Sequence, residues 1–448
     1  MTGKQKRSFK LWVVLATAVV FWTVGAGFLK DLSASNDETY KGLKLFTDVL
    51  EIVTEKYVDE VDTNELIEKA IQGMVHSLDP HSSLLPPEAY EDLRIDTKGN
   101  FTGIGIHITL RNGFVTVISP IEGTPAFKAG IQAQDRIVKV DDTPVDDLRQ
   151  AVNMMRGPKG TPVKVTILRK GEPEPLEFDL VRDIIPVKSI KAQTLKPGYG
   201  YIWITNFTGN TTEDFLNALE KLESENAPMK GLVLDLRNNG GGLLEESLRI
   251  SDIFIDKGII LSIKGRGEDT KEFPAKPSAV KRDYPIVLLI NGGSASASEI
   301  VAGAMQDHKR ALILGTTSFG KGSVQTVEPL RDGYGLKLTI ARYYTPSGRS
   351  IQAKGIEPDI VVPFKPLDET ADLNSDDGFV KESDLKNHLE GMPEGAQKPQ
   401  DEKKPKKQIK SMESTVNPLE PDSLKRDNQV MRALDILVSY DLFKHLGS

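Results

Sequence analysis

Pro285-Ile286-Val287-Leu288-Leu289-Ile290-Asn291-Gly292-Gly293-Ser294-Ala295-Ser296-Ala297-Ser298-Glu299-Ile300-Val301-Ala302-Gly303-Ala304-Met305 is the stretch on which the fold turns. An unbroken apolar run predicts a strand buried on both faces, a Gly- and Ser-rich loop follows it, and the run from Ile300 reads as a helix. The same order recurs on either side. Tyr201-Ile202-Trp203-Ile204, Gly231-Leu232-Val233-Leu234-Asp235-Leu236 and Ala311-Leu312-Ile313-Leu314 are further short apolar runs, and Phe215, Leu216, Leu219 and Leu222 make a helical stripe between two of them. Such alternation predicts an α/β core with a largely parallel sheet and ligands at the carboxyl ends of its strands. Two loops stand there, Arg237-Asn238-Asn239-Gly240-Gly241-Gly242 and the Ser-rich loop from Asn291 to Glu299.

Ser294, Ser296 and Ser298 are nucleophile candidates because a helix start favours developing negative charge, although a Ser-rich helix start also serves as a plain cap. A nucleophilic Ser needs a base. His308 lies twelve residues from Ser296, about 18 Å along a helix and out of reach. His76, His81, His107, His388 and His445 lie outside this core, with His81 the one that folding brings nearest in principle. A Lys can serve when burial leaves its amine neutral. Gly315-Thr316-Thr317-Ser318-Phe319-Gly320-Lys321-Gly322 supplies one. This stretch nearly matches the nucleotide P-loop, but Gly322 stands where the Mg²⁺-binding hydroxyl belongs, and Gly322 to Val327 alternate like a strand instead of opening a helix.

Composition narrows the chemistry further. The chain has 448 residues, no Cys and six His, so disulfides, thiol nucleophiles and Cys-rich metal sites are excluded. A net charge of −7 argues against a nucleic-acid partner. Lys4, Lys6, Arg7 and Lys10 precede an uncharged run from Leu11 to Leu29, long enough to approach the span of a bilayer. An uncleaved anchor in the cytoplasmic membrane with the rest of the chain exported is expected, a cleaved signal peptide being the alternative. Leu43, Phe46, Leu50, Val53 and Tyr57 form a heptad-like stripe, and Asp62 with Glu65 marks the start of a second helix. That helix ends in Asp79-Pro80-His81-Ser82-Ser83.

Between Lys98 and Arg182 short β runs take over, and their order resembles a PDZ domain. The matching pieces are Gly103-Ile104-Gly105-Ile106, Thr124-Pro125-Ala126-Phe127-Lys128-Ala129-Gly130 and Gln134-Asp135-Arg136-Ile137. The resemblance implies that backbone amides of Gly103, Ile104, Gly105 and Ile106 bind a peptide carboxylate, with the helix carrying Leu148, Ala151, Val152 and Met155 flooring the groove.

Taken together, the loops resemble the carboxy-terminal processing peptidases, or tail-specific proteases, over about Glu38 to Val362. The carrying residues are Gly293 to Glu299, Phe319-Gly320-Lys321-Gly322-Ser323-Val324-Gln325, Asp235 to Asn239, and Tyr344-Thr345-Pro346-Ser347-Gly348-Arg349 before Gly355-Ile356-Glu357-Pro358-Asp359. The resemblance implies a serine endopeptidase with Ser296 as nucleophile, Lys321 as base and Gln325 orienting Lys321. It places the oxyanion donors at Ala297 and at Gly241 or Gly242, Gly240 standing where many relatives have Pro. No metal or other cofactor is implied.

The expected divisions are an anchor or signal peptide at 1–30, N-terminal helices at 38–96, a PDZ domain at 97–183, a Ser-Lys protease core at 184–364, a charged flexible linker at 365–426 and a C-terminal helix at 427–446. Expected partners are C-terminal tails of exported or unfolded proteins and further copies of the chain through its N- and C-terminal helices; an adaptor cannot be read. Arg156 is a candidate relay between the PDZ domain and the core. The rival readings are an inert PDZ scaffold and a Ser-His hydrolase using His81.

Overall fold

The computed structural model describes residues 38–267, 270–278, 280–365, 380–389 and 424–446. The expected anchor at 1–30 lies outside the described residues, and among those described no helix is long and apolar enough to cross a membrane. The chain divides into two compact units, which meet in sequence between Val75 and His76.

The first unit contains helix α1 over 38–56 and α2 (Thr63–His76). Asp62 caps α2: its Oδ1 accepts from the amides of Asn64 at 2.7 Å and Glu65 at 3.3 Å. Along the apolar stripe of α1, Leu43 and Phe46 are exposed, while Leu50 and Val53 are half-buried.

In the second unit β1 (Ser83–Leu85) and α3 (Pro87–Lys98) lead to β2 (Asn100–Gly103), one half of a two-stranded stem. The inserted domain follows: β3 (Ile106–Arg111), β4 (Phe114–Pro120), α4 (Pro125–Lys128), β5 (Arg136–Val140), β6 (Thr143–Pro144), α5 (Leu148–Met155), β7 (Pro162–Leu168) and β8 (Leu176–Val181). Its sheet runs β3-β4-β5-β7-β8, with β6 on β5 and β3 at an open edge. Val115, Val117, Ile137, Val165 and Ile167 close a core of its own. Strand β9 (Asp183–Pro186) then returns antiparallel to β2 and completes the stem.

The remaining elements build the core: β10 (Ile190–Lys196), β11 (Tyr199–Ile204), α6 (Thr211–Glu225), β12 (Gly231–Asp235), α7 (Leu244–Asp252), β13 (Ile259–Gly265), β14 (Thr270–Pro274), β15 (Ile286–Ile290), α8 (Ala297–Asp307), β16 (Leu312–Gly315), β17 (Ser323–Pro329), β18 (Gly335–Tyr344), β19 (Ile360–Val361) and α9 (Asn428–Leu446). One sheet runs β10-β11-β12-β15-β16-β19 and is parallel apart from β10. The period-2 alternation of a strand divides its side chains between two faces. Ile202, Leu232, Leu234 and Leu288 pack on α6, α7 and α8, whereas Tyr201, Val233, Val287 and Leu289 pack on α9 through Val430, Ala433, Leu434 and Leu437. The C-terminal helix therefore docks on the core through this apolar face. A second, antiparallel sheet joins β1, β18, β13 and β14, with β17 also on β18. Only the alternation after Lys321 hinted at this sheet.

Candidate active site

Three loops at the carboxyl ends of β12, β15 and β16 converge, as the parallel sheet predicts. The first is organised by Asn239, which is fully buried. Its Oδ1 accepts the Gly241 amide at 2.9 Å and its Nδ2 donates to Ile204 O at 2.8 Å. Its backbone oxygen accepts from Ala295 N at 3.0 Å and from Ser298 Oγ at 2.8 Å. Beside it Asn238 and Asn291 exchange hydrogen bonds, Asn291 Oδ1 accepting from Asn238 N at 2.9 Å and Asn291 Nδ2 donating to Asn238 Oδ1 at 2.9 Å. At the base of the loop Arg237 pairs with Asp235 at 2.6 Å and with Asp427 at 2.8 Å, and donates to Gln429 Oε1 at 2.7 Å. A buried guanidinium is tolerable because two carboxylates and an amide meet its donors, and the same bonds fasten the entry to α9.

The three serines of the second loop separate cleanly. Ser294 is fully buried and donates to Leu236 O at 2.8 Å; Ser298 is fully buried and donates to Asn239 O. Both are structural. Ser296 is half-buried, with φ 53° and ψ −111°, and stands immediately before α8. That backbone region is sparsely populated for a residue with a Cβ and costs about 1–3 kcal/mol, so the surroundings must enforce it. Part of the enforcement is Glu299, whose Oε2 accepts the Ser296 amide at 2.8 Å.

Glu299 also reaches the third loop. The same Oε2 accepts the Lys321 amide at 2.9 Å, and Oε1 accepts from Ser318 Oγ at 2.5 Å and Gly320 N at 2.7 Å. One buried carboxylate thus meets four donors and fixes the backbones of Ser296 and Lys321 to a single oxygen. Burial pushes Glu299 up to about 7 against the pull of those four donors. Phe319 N donates to Ser294 O at 3.0 Å and binds the two loops a second time.

Lys321 is held down at about 8 by burial first and by the nearby Lys337 second, with Glu382, Glu299 and Asp79 acting in the opposite direction. A neutral amine is therefore accessible near neutral pH. Among the described residues no direct hydrogen bond joins Ser296 Oγ to Lys321 Nζ; beside Ser296 lies Tyr343, whose phenol burial holds up at about 12 despite the Ser296 hydroxyl. Gln325 is not on Lys321 either. Its Nε2 donates to Ser323 Oγ at 3.0 Å, because residues two apart on a strand share a face.

Of the two Gly candidates for an oxyanion donor, Gly241 already donates to Asn239, which leaves Gly242. Gly242 lies opposite Phe207 in a parallel bridge, with Phe207 N bonded to Gly241 O and Leu243 N to Phe207 O, so its own N–H points away from Phe207. Ala297 N begins α8, where the first amides lack helical acceptors. The Gly241 Cα packs tightly here: a Cβ on it would stand 2.9 Å from Ser296 Cβ and 3.1 Å from Ala297 N.

His81 faces elsewhere, with Nε2 at 2.6 Å from Glu382 Oε2. Nor does the loop before β17 hold a nucleotide. A Cβ at Gly322 would stand 2.4 Å from Gln352 N, so this position has no room for the hydroxyl side chain of a P-loop.

In the inserted domain, Gly105 has φ +81° and packs so closely on Thr124 that a Cβ would fall 2.4 Å from it. Ile104 is buried beneath the loop. In α5, capped by Asp147 through Gln150 N at 2.8 Å, Ala151 and Met155 are core residues while Leu148 and Val152 are half-buried. Arg156 pairs with Asp92 of α3 at 2.6 Å and lies over the Phe101 ring.

Sequence reasoning passed over Glu299, Asn239, Tyr343 and Gln352. Glu299 carried a readable signal, since Ser296-x-x-Glu299 has the spacing of a capping box; the others are defined by contacts distant in sequence.

Comparison with known proteins agrees with this architecture. The sequence matches peptidase family S41 over residues 198–362, a PDZ domain over 102–180 and the activating protease CtpB N-terminal domain over 25–88. It is 46% identical over 389 residues to the carboxy-terminal-processing protease of Bartonella bacilliformis, covering 85% of this chain and 89% of that protein. It is 36% identical over 365 residues to the carboxy-terminal processing protease CtpA of Bacillus subtilis, covering 79% of this chain and 77% of that protein. Among solved structures it is similar to a photosystem II D1 C-terminal processing protease, with 32% identity, a TM-score of 0.42, and coverage of 71% of this chain and 92% of that one.

Proposed function

We propose that this chain, which belongs to peptidase family S41, is an exported endopeptidase that captures substrate C-termini in its PDZ groove and cleaves through a Ser296–Lys321 acyl-enzyme. Membership of the carboxy-terminal processing proteases makes it a serine-type peptidase with a PDZ domain. The mechanism is our reading of its residues. The observation that carries it is the single oxygen, Glu299 Oε2, that accepts the amides of both Ser296 and Lys321 and so fixes nucleophile and base in one frame.

In the reaction, neutral Lys321 takes the proton of Ser296, whose Oγ attacks the scissile carbonyl, a closure that needs the Ser296 side chain to turn from Tyr343 toward the amine. Ala297 N–H and Gly242 N–H receive the oxyanion. Lys321 then protonates the leaving amine, and water activated by Lys321 releases the acyl group. The Gly103 to Ile106 loop and the free edge of β3 suit an extended peptide ending in a carboxylate, with Leu148 and Val152 toward its last side chain. The basic start and uncharged run of residues 4–29 support anchoring in the cytoplasmic membrane with this site outside.

Cleavage of an unstructured protein by Ser296→Ala or Lys321→Ala is expected to fall by about a thousandfold or more. Because only the neutral amine accepts a proton, wild-type kcat/KM should decline as pH drops below about 8, where Lys321 protonates. Wild-type cleavage by either variant would overturn the Ser296–Lys321 assignment, whereas no cleavage by the wild type would leave the inert-scaffold reading standing.

A further inference from the structure

Residues 380–389 lie inside the charged stretch whose composition reads as solvated linker, yet the helical turn Glu382–Asp384 carries a carboxylate with no exposed surface into the core. A buried carboxylate is costly unless both oxygens find donors. Glu382 has them: His81 Nε2 lies 2.6 Å from Oε2, and Gln352 Nε2 donates to Oε1 at 2.8 Å. Gln352, itself fully buried, passes the contact on, since its Oε1 accepts the Gly322 amide at 2.9 Å. Gly322 is the residue after Lys321. The segment is pinned to the same loop by its backbone, Glu382 N donating to Phe319 O at 3.1 Å. His81 in turn is set by Asp79, whose Oδ1 accepts the amides of His81 and Ser82 at 2.8 Å each and whose Oδ2 accepts Ser82 Oγ at 2.7 Å.

We propose that Glu382, gripped by His81, is a positioning residue for the Ser-Lys reaction: it clamps residues 380–389 onto the base loop and, through Gln352, fixes the backbone that aims Lys321. This rests on the Ser296–Lys321 reading. The carboxylate has a second effect through space. Lys321 is surrounded by Lys337, Glu382, Glu299 and Asp79, and Glu382 is the first of the anions that favour its protonated form. A charged stretch that composition assigns to solvent thus contributes to the site through one buried residue.

The test uses the full chain and two readouts. One is kcat and KM on an unstructured protein; the other is the pH dependence of Lys321 acetylation by acetic anhydride, read by mass spectrometry, which follows the amine whether or not it is the base. Glu382→Gln should lower kcat roughly ten- to hundredfold, the scale of a displaced catalytic group, with KM changed less than about twofold. Its Lys321 acetylation midpoint should move to lower pH, because a charge favouring the ammonium is gone. A merely structural role would not move that midpoint. His81→Gln, whose amide can still donate to the carboxylate, should retain more kcat than His81→Ala; this pair carries the test if Glu382→Gln does not fold. Unchanged kcat and midpoint in Glu382→Gln, or equal losses in the two His81 variants, overturns the clamp. Activity in Lys321→Ala would instead overturn the Ser-Lys reading, whatever Glu382→Gln does.

Discussion

The catalytic loops and the PDZ groove solve opposite problems with the same backbone groups. Around Ser296 the amides and side chains are consumed internally: Glu299 meets four donors, Asn239 meets five partners, and Arg237 meets two carboxylates. Around Gly105 the carbonyls are bonded, Gly105 O to Ile121 N and Thr124 Oγ1 and Ile104 O to Ala126 N, but β3 has one strand neighbour and so an open edge, and the domain hangs on a two-stranded stem with ion pairs such as Arg156–Asp92 and Lys159–Asp183 at its rim. Proton transfer needs atoms held where charge develops, with the cost of ordering met during folding. Peptide capture needs a sheet edge that the ligand completes. Strain is placed accordingly: Ser296 carries a positive φ with a Cβ, whereas the loop of the groove gives its positive φ to glycine.

The largest effect expected from breaking this contrast is at Glu299. Glu299→Gln offers one acceptor oxygen and an NH₂ to four converging donors, so two buried donors lose their partners, at about 1–3 kcal/mol each. Thermal unfolding should shift downward, and kcat should fall about a hundredfold or more as Ser296 and Lys321 lose their common anchor. A Glu299→Gln enzyme with wild-type kcat would mean that the pinned backbone is not what aligns the pair. Peptide binding to the PDZ groove, measured on the same protein, should stay unchanged.

How much of this was legible beforehand follows the range of the contacts. Unbroken apolar runs located β11, β12, β15 and β16, and the parallel topology they imply put the Gly- and Ser-rich loops at one end of the sheet. Position after β15 made serine the candidate nucleophile, the family resemblance singled out Ser296, and burial gives the physical contrast: Ser294 and Ser298 are spent on carbonyls of the neighbouring loop, 58 and 59 residues away. Glu299 could be read as a helix cap, though not as the anchor of Lys321, which depends on a loop 22 residues on. Gln325, four residues from Lys321, gives its amide to Ser323, its neighbour on the same face of β17, a contact that spacing to Lys321 alone did not show. Glu382 was hidden most deeply. Its partner His81 is 301 residues away, and average composition averages out the one buried carboxylate in a charged stretch.

A smaller and more selective loss is expected at the groove. Gly105→Ala demands φ +81° of a residue with a Cβ and drives that Cβ into Thr124, whose Oγ1 also bonds Gly105 O at 3.0 Å. The carboxylate loop must shift, and binding of a C-terminal peptide should weaken about tenfold, a cost of about 1.4 kcal/mol. The comparison is sharpened by substrate choice: KM for a protein with a free C-terminal tail should rise, while kcat on a short peptide that reaches Ser296 without the groove should hold. Equal losses on both substrates would show that the two regions are one rigid device.

The smallest change is expected at Arg156, where the inserted domain meets α3 and β2. Its guanidinium pairs with Asp92, which is well exposed, and lies 5.8 Å from the centroid of Phe101. An exposed ion pair contributes about 0–1 kcal/mol and a solvent-facing cation–π contact about 0.5–1 kcal/mol. Arg156→Ala should therefore move the unfolding midpoint by only a few degrees. Asp92 sits on α3, however, and α3 packs through Pro87 and Tyr90 against Gly333 and Gly335, at the hairpin turn between β17 and β18. Those strands follow Lys321 and carry Tyr343 toward Ser296. If that path couples groove to chemistry, Arg156→Ala will alter the stimulation or inhibition of short-peptide cleavage by a saturating C-terminal peptide while leaving peptide affinity in place. If the response to peptide is the same as in the wild type, Arg156 is a rim ion pair and the coupling, where it exists, runs through the β2–β9 stem.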